Sequence, residues 1–134
     1  EALLSSGADV RSMHDPTRGG VAVTCNEAAS RAGARFRLDE AAIPVRPEVE
    51  AVCETLGLDP LYVACEGRLL AWVAASDADR ALRALRAHPL GAAAARIGVV
   101  EEARPGGAPV ILSTRIGGER PLDLLSGSDL PRIC

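Results

Sequence analysis

Hydrophobic and polar positions follow two different periods along this chain, which predicts a mixture of helices and strands. The first helical pattern follows "HDPTRGG" and comprises Val21, Cys25, Ala28, Ala29 and Ala32. Gly33 then closes the pattern, because glycine readily adopts the left-handed conformation that ends a helix. We therefore expect a helix that ends at about residue 32.

Two further segments have helical spacing. In "RPEVEAVCETLG", Pro47 suits a first helical turn, and the apolar stripe comprises Val49, Val52, Cys53 and Leu56. In "SDADRALRALRAH", Ser76 is a candidate N-cap, and apolar residues alternate with outward-facing arginines. The sequence thus predicts three amphipathic helices.

Six segments are typical of strands. They are "VRSM", "ARFRLD", "GRLLAWVAA", "ARIGVVEEA", "APVILSTRI" and "ERPLDLL". The continuous apolar run "GRLLAWVAA" indicates a central strand, and "RPGG" and "GG" separate the last three segments. Strands mixed with single helices predict a layered α+β domain over residues 1–123, followed by a flexible polar tail over residues 124–134.

Composition and charge limit the classes of function that this chain can have. The 134 residues include no lysine, so all 15 basic residues are arginine, and the net charge is −3. A lysine needed by any mechanism must therefore come from another domain or chain, and nothing indicates nucleic acid or an anionic membrane as a partner. No apolar run has the length of a membrane span, the cysteine spacing predicts no metal site, and reduced thiols in a cytoplasm are expected. Because the first residue is Glu, we expect a segment of a longer protein.

The stretch "HDPTRGG" is the first candidate for chemistry. We expect Asp15 to cap the following helix and Pro16 to occupy its first position. We expect unpaired backbone N–H groups and a cation from Thr17, Arg18, Gly19 and Gly20, which together suit an anion such as phosphate. A capped helix whose glycines only permit close packing is the alternative.

The stretch "ACEGRLL" is the second candidate. Glu66 lies just before the most apolar strand, where a carboxylate can accept a proton; an ordinary turn residue is the alternative. Cys65 beside it is more typical of packing than of reactivity. On the first helix, Asn26 and Glu27 lie off the apolar stripe, and we expect both to be solvated.

The third candidate is Cys134, which ends the chain after "SGSDLPRI". Eleven residues from Leu124 onward can span up to about 35 Å when extended. A thiol on such a tether is accessible, and it fits a carried attachment point better than a preorganised nucleophile. An accidental terminal cysteine remains the alternative on composition alone.

The blocks "DPTRGGVA", "NEAA", "IPV", "ETLGLDPLYVACEG", "IGGERPLD" and "LPRIC" together resemble the HypE family of hydrogenase maturation proteins. They cover nearly the whole chain in the expected order. "DPTRGG" is also similar to the Gly-rich element of the wider PurM-like (AIR synthase-related) ATP-binding superfamily. The resemblance implies a PurM-like C-terminal domain, partly ferredoxin-like, from a protein whose N-terminal ATP-binding domain is absent from this chain.

This resemblance implies a specific chemistry for the full-length protein. A carbamoyltransferase, HypF, places a carboxamide on Cys134, and ATP-dependent dehydration then gives a thiocyanate. The cyano group passes to iron on the HypC–HypD complex and becomes a ligand of [NiFe]-hydrogenase. ATP and Mg²⁺ are the implied cofactors, held mostly by the missing domain, which also forms a homodimer.

The resemblance also implies roles for individual residues. Glu66 matches the family's Glu-Gly element as the base, and Asp15, Thr17, Arg18 and Gly19 match the phosphate side. The chain departs from the family pattern at two places, where Cys65 replaces an expected Asn and His14 an expected Arg. The isolated domain is expected to be inactive.

Two other functions stay open at this point. One is a docking module for HypF or HypC–HypD without catalysis of its own. The other is a PurM-like synthetase that acts on a free small molecule, whose activity would survive replacement of Cys134.

Overall fold

The computed structural model describes residues 1–124, and within them it has three α-helices and six strands. The helices are α1 (Gly20–Ala32), α2 (Pro47–Leu56) and α3 (Ala78–Arg86). The strands are β1 (Val10–His14), β2 (Ala34–Asp39), β3 (Leu70–Val73), β4 (Gly98–Glu102), β5 (Val110–Ser113) and β6 (Glu119–Pro121). The α+β prediction is confirmed, and no described helix is long and apolar enough to cross a membrane.

The strands form two sheets rather than one. β1 and β3 pair antiparallel as a two-stranded ribbon, and the other four strands form a sheet in the order β4-β2-β5-β6. Within this sheet β2 and β5 run parallel, and β4 and β6 flank them antiparallel. The expectation that the third strand is central is therefore wrong, because β3 has a single neighbour among the described strands and is only half-buried.

The main core lies between α1 and the inner face of the four-stranded sheet. Alternation along β2 directs Phe36 and Leu38 towards the helix, and the paired positions on β5 are Val110 and Leu112. Burial of each such side chain contributes about 1.5–3 kcal/mol. Trp72 of β3 lies 5.6 Å from Phe36 between ring centroids, so it joins the ribbon to this core.

Two helix predictions need correction. The stripe on α2 is mostly unburied, since only Cys53 is covered, while Val52 and Leu56 are 57% and 64% exposed. Ser76 does not cap α3: the helix begins at Ala78 after a short 3-10 turn, and the residue at the N-cap, Asp77, makes no side-chain cap. The carboxylate of Asp77 instead accepts a hydrogen bond from the backbone N–H of Asp9 at 3.0 Å.

Candidate functional site

The β1–β3 ribbon brings the two predicted site segments together. His14 at the end of β1 pairs with Leu70 at the start of β3, so the loop after β1 and the loop before β3 lie at the same end of the ribbon. The backbone N–H of Cys65 donates to the carbonyl of Pro16 at 3.0 Å, which joins the loops directly. Segments that are about 50 residues apart in sequence therefore form one site.

The loop at residues 15–19 is not the first turn of a helix. The Thr17 N–H donates to the Asp15 carbonyl at 2.9 Å, and the first helical hydrogen bond runs from Val23 to Gly19 at 3.2 Å. Gly19 occupies the N-cap with a φ of 77° and without a side-chain cap. The prediction that Asp15 caps α1 is therefore wrong, since left-handed backbone at the glycine pair separates Asp15 and Pro16 from the helix.

Gly20 shows why this turn needs glycine. Its φ is 61°, and a Cβ there would lie 2.5 Å from the carbonyl oxygen of Val63 and 2.6 Å from that of Leu61. The start of α1 thus packs directly on the backbone that leads to Cys65 and Glu66. Close packing, offered above as the alternative role of these glycines, is present together with the loop geometry.

The Gly-rich loop presents polar groups to solvent. Asp15, Thr17 and Arg18 are exposed, whereas Gly19 is buried. Within the described residues Arg18 makes no ion pair. The Gly20 N–H donates to the Thr17 carbonyl at 3.1 Å, so the prediction that Thr17 and Gly20 present unpaired N–H groups is wrong. What this loop offers an anion is the exposed guanidinium of Arg18.

The second loop holds one exposed carboxylate and one half-buried thiol. Glu66 is exposed in the turn before β3. The Cys65 thiol donates to the Val63 carbonyl at 3.2 Å, and burial raises its pKa while the charge of Arg68 partly lowers it. A thiol held neutral in this way fits packing, as expected, and leaves Glu66 as the carboxylate of this loop. His14, the other departure from the family pattern, packs edge-on against Trp72 with centroids 6.0 Å apart.

The end of the described chain is anchored close to this site, which the sequence reasoning missed. The buried Asn26 amide donates to the Leu122 carbonyl at 2.5 Å, so its predicted solvation is wrong, although Glu27 is exposed as expected. The Tyr62 hydroxyl donates to the Asp123 carbonyl at 2.7 Å. The only sequence signal for this anchor was the amide side chain of Asn26, which lies next to the apolar stripe of α1. Cys134 itself lies outside the described residues.

None of the predicted site residues within the described chain lines either of two cavities elsewhere in the domain. One, of about 190 Å³, lies beside α2 and includes Cys53 and Arg115. The other, of about 200 Å³, lies at the end of β2 and includes Arg35 and Arg104. The candidate site is instead an exposed surface at one end of the β1–β3 ribbon.

The fold and this loop pair define a class of protein. Residues 1–110 match the model of the "AIR synthase related protein, C-terminal domain" family, and the chain belongs to that family. More particularly, it is 58% identical over 133 residues to carbamoyl dehydratase HypE of Cupriavidus necator, and 54% identical over 134 residues to carbamoyl dehydratase HypE of Rhizobium leguminosarum bv. viciae. These alignments cover 98% and 100% of this chain but 37% and 38% of the relatives, so the chain spans little more than a third of their length.

Solved structures show the same likeness. A structure of hydrogenase maturation protein HypE in complex with ATP superposes with a TM-score of 0.86 and 44% identity, over 98% of this chain and 39% of that one. A HypE–HypF complex superposes with a TM-score of 0.84 and 32% identity, over 92% of this chain and 39% of that one. The resemblance predicted from the sequence blocks is confirmed.

Proposed function

We propose that this chain is the C-terminal domain, residues 1–123, and the thiol-bearing tail, residues 124–134, of an ATP-dependent carbamoyl dehydratase for [NiFe]-hydrogenase maturation. The likeness to HypE proteins over nearly all of this chain supports this assignment. HypF places a carboxamide on Cys134, and the full-length protein converts it to a thiocyanate. The cyano group then passes to iron on the HypC–HypD complex, and the work takes place in the cytoplasm.

The conversion removes one water from the S-carboxamide at the expense of ATP. The carboxamide oxygen attacks the terminal phosphoryl group, ADP leaves, and the nitrogen loses its first proton. The phosphorylated oxygen then leaves as phosphate while the nitrogen loses its second proton, and a C≡N triple bond forms. A carboxylate near the nitrogen accelerates such proton transfers by about 10²–10⁴-fold.

Glu66 is the carboxylate that we assign to this step. It is exposed and follows Cys65, whose N–H donates to the Pro16 carbonyl. A proton accepted by the Glu66 carboxylate is therefore taken up beside the Gly-rich loop. We assign Asp15, Thr17, Arg18 and Gly19 to the phosphate side. The exposed guanidinium of Arg18 fits a phosphoryl group, because it carries a positive charge and hydrogen-bond donors that match phosphate oxygens.

The remaining nucleotide contacts, including those to Mg²⁺, belong to the domain that this chain lacks. Mg²⁺ would supply charge neutralisation at the phosphates, and Asp15 is the carboxylate of the Gly-rich loop. We also assign the homodimer contact to that domain. This chain contains no lysine, so any lysine at the phosphates must come from another domain or chain, which agrees with placing the remaining nucleotide contacts there.

One observation carries the proposal: the two predicted loops meet through the Cys65–Pro16 hydrogen bond, and the chain leads towards Cys134 from an anchor at Tyr62, three residues before Cys65. The ten residues from 125 to 134 reach about 33–36 Å when extended. A thiol on a tether of this length can reach the candidate site and also the active site of a separate enzyme.

The test is the mass of the C-terminal peptide of the full-length protein after incubation with HypF, carbamoyl phosphate and ATP. We expect a carboxamide adduct, followed by ATP-dependent loss of one water, and neither with Cys134→Ser. Glu66→Gln should keep the adduct and slow the loss of water at least roughly 100-fold, whereas Glu48→Gln, an exposed α2 control, should leave both steps unchanged.

Other outcomes favour the alternatives. No adduct on Cys134 in the presence of active HypF would refute the carrier role and favour a docking module. ATP turnover with a free small molecule that survives Cys134→Ala would instead favour a PurM-like synthetase.

A further inference from the structure

A second polar site lies at the end of the four-stranded sheet. A cavity of about 200 Å³ is bounded by the last turn of α1, the start of β2, the residue pair 103–104 after β4 and residues 107–109 before β5. We call it the β2-end cavity. Its charged lining residues are Arg35 and Arg104, and Ser30 adds a hydroxyl.

Arg35 is the unusual member of this lining. Its side chain is only 8% exposed, and its Nε has no hydrogen-bond partner within the described residues. The carboxylate of Glu101 lies 3.9 Å from that nitrogen, which is too far for a hydrogen bond. A buried cation without hydrogen-bonded compensation is costly, so such a residue usually has a partner.

Two nearby carboxylates are already hydrogen-bonded to another arginine, Arg37. Glu101 accepts a hydrogen bond from Nε of Arg37 at 2.8 Å, and Glu119 accepts another from the same guanidinium. The pKa of Glu101 is lowered chiefly by Arg37, and the charges of Arg35 and Arg104 add to this effect. Glu102, next on β4, is exposed and makes no ion pair in the described part of the chain. Three arginines and three carboxylates thus share this region, but no carboxylate lies within hydrogen-bond distance of the Arg35 Nε.

The end of α1 does not supply the missing acceptor. The Gly33 N–H already donates to the carbonyls of both Ala29 and Ser30, so these acceptors of the last turn are engaged. Over residues 1–124 no carbonyl accepts a hydrogen bond from the Arg35 Nε. The Arg35 Nε is therefore available to donate to a group bound beside it.

We propose that the β2-end cavity binds a small oxyanion, a phosphate or a carboxylate, held by Arg35 and Arg104. A guanidinium presents parallel N–H donors that match the oxygens of these groups, and such charge-assisted hydrogen bonds are about twice as strong as neutral ones. The cavity has room for one phosphate and its water.

Two sources of the oxyanion fit the geometry. Inorganic phosphate is one. The C-terminal carboxylate of Cys134 is the other, because the Leu122 N–H donates to the Val110 carbonyl at 3.0 Å, beside Pro109 of the cavity lining. The chain thus leaves the domain close to the cavity with ten residues of reach, and a tethered group acts at an effective concentration on the order of millimolar.

The test is a calorimetric titration of the full-length protein with inorganic phosphate. We expect saturable binding that Arg35→Gln and Arg104→Gln each weaken at least tenfold, about 1.4 kcal/mol. Arg96→Gln, a substitution of an exposed arginine outside the cavity, should leave it unchanged. Because Arg18 is assigned to the phosphate side proposed above, the titration is repeated in an Arg18→Gln background, where the weakening by Arg35→Gln and Arg104→Gln should persist.

The source is decided by removing residues 125–134. Unchanged phosphate affinity after truncation identifies free phosphate as the ligand, whereas affinity that rises at least twofold identifies the tail carboxylate as a competitor for the same site. If Arg104→Gln, which alters an exposed side chain and keeps the fold, binds phosphate as tightly as the parent before and after truncation, the proposal is wrong.

Discussion

Replacement of Gly20 by alanine tests how the start of α1 positions the Glu66 loop. The new Cβ would lie 2.5 Å from the Val63 carbonyl oxygen, and ordinary contact begins at 3.4 Å, so that carbonyl must move by about 0.9 Å. The φ of 61° adds about 1–2 kcal/mol of backbone strain for any residue with a Cβ. Overpacking against backbone costs a further 1–3 kcal/mol, roughly.

We therefore expect Gly20→Ala to lower the free energy of unfolding by about 2–5 kcal/mol. Gly33→Ala is a matched control, because Gly33 has a φ of 58° but no described atom within 4 Å of the position that a new methyl group would take. It should cost only the strain, about 1–2 kcal/mol. Urea denaturation followed by circular dichroism measures both values.

The difference between the two variants isolates the packing of Gly20 from its backbone strain. Equal losses would show that the contact with Leu61 and Val63 contributes nothing, and the expected overpacking would be refuted. In the full-length protein, Gly20→Ala should also slow dehydration of the carboxamide more than Gly33→Ala does, because the displaced carbonyl lies two residues before Cys65.

Two further predictions concern buried groups. Asn26→Ala leaves the Leu122 carbonyl without its donor and should cost about 1–3 kcal/mol in urea denaturation, whereas the exposed Glu27→Ala should stay within roughly 0.5 kcal/mol of the parent; equal effects would contradict the anchoring role. Burial raises the pKa of Cys25 to about 12, so the folded state disfavours the thiolate. The stability that the neutral thiol contributes is complete at pH values below the ordinary pKa of cysteine, and it is lost as the pH rises above that pKa. Relative to Cys25→Ala, the parent should therefore lose about 1.4–2 kcal/mol between roughly pH 7 and pH 10, and parallel pH profiles would refute this.

Local patterns were sufficient to predict most helices and strands. The glycine that closes α1 and the alternation in β2 act within a few residues, and both are present where expected. The predicted start of α1 at Pro16 was wrong. Asp15 followed by Pro16 is typical of a helix start, but the left-handed backbone at Gly19 and Gly20 interrupts the chain, so the helix begins at Gly20. The tertiary context that decides between these two starts is absent from a local pattern.

Pairings across long sequence separations could not be predicted. No local signal shows that β3 pairs with β1 alone, so an apolar run was interpreted as a central strand. The exposed α2 stripe and the buried Asn26 have the same cause, since periodicity identifies a face but not what covers it. The members of the site were proposed from local patterns and from the family resemblance, whereas the hydrogen bond that joins Cys65 to Pro16 was not predicted.

The β1–β3 pairing also has a consequence for biosynthesis. Val10 pairs with Val73 and His14 with Leu70, so β1 leaves the ribosome roughly 60 residues before its partner strand. At a synthesis rate of about 5–20 residues per second, β1 remains without its partner strand for roughly 3–12 s. Because the two loops of the site meet only when the ribbon closes, the nascent chain acquires them together, in a single event after β3 has emerged.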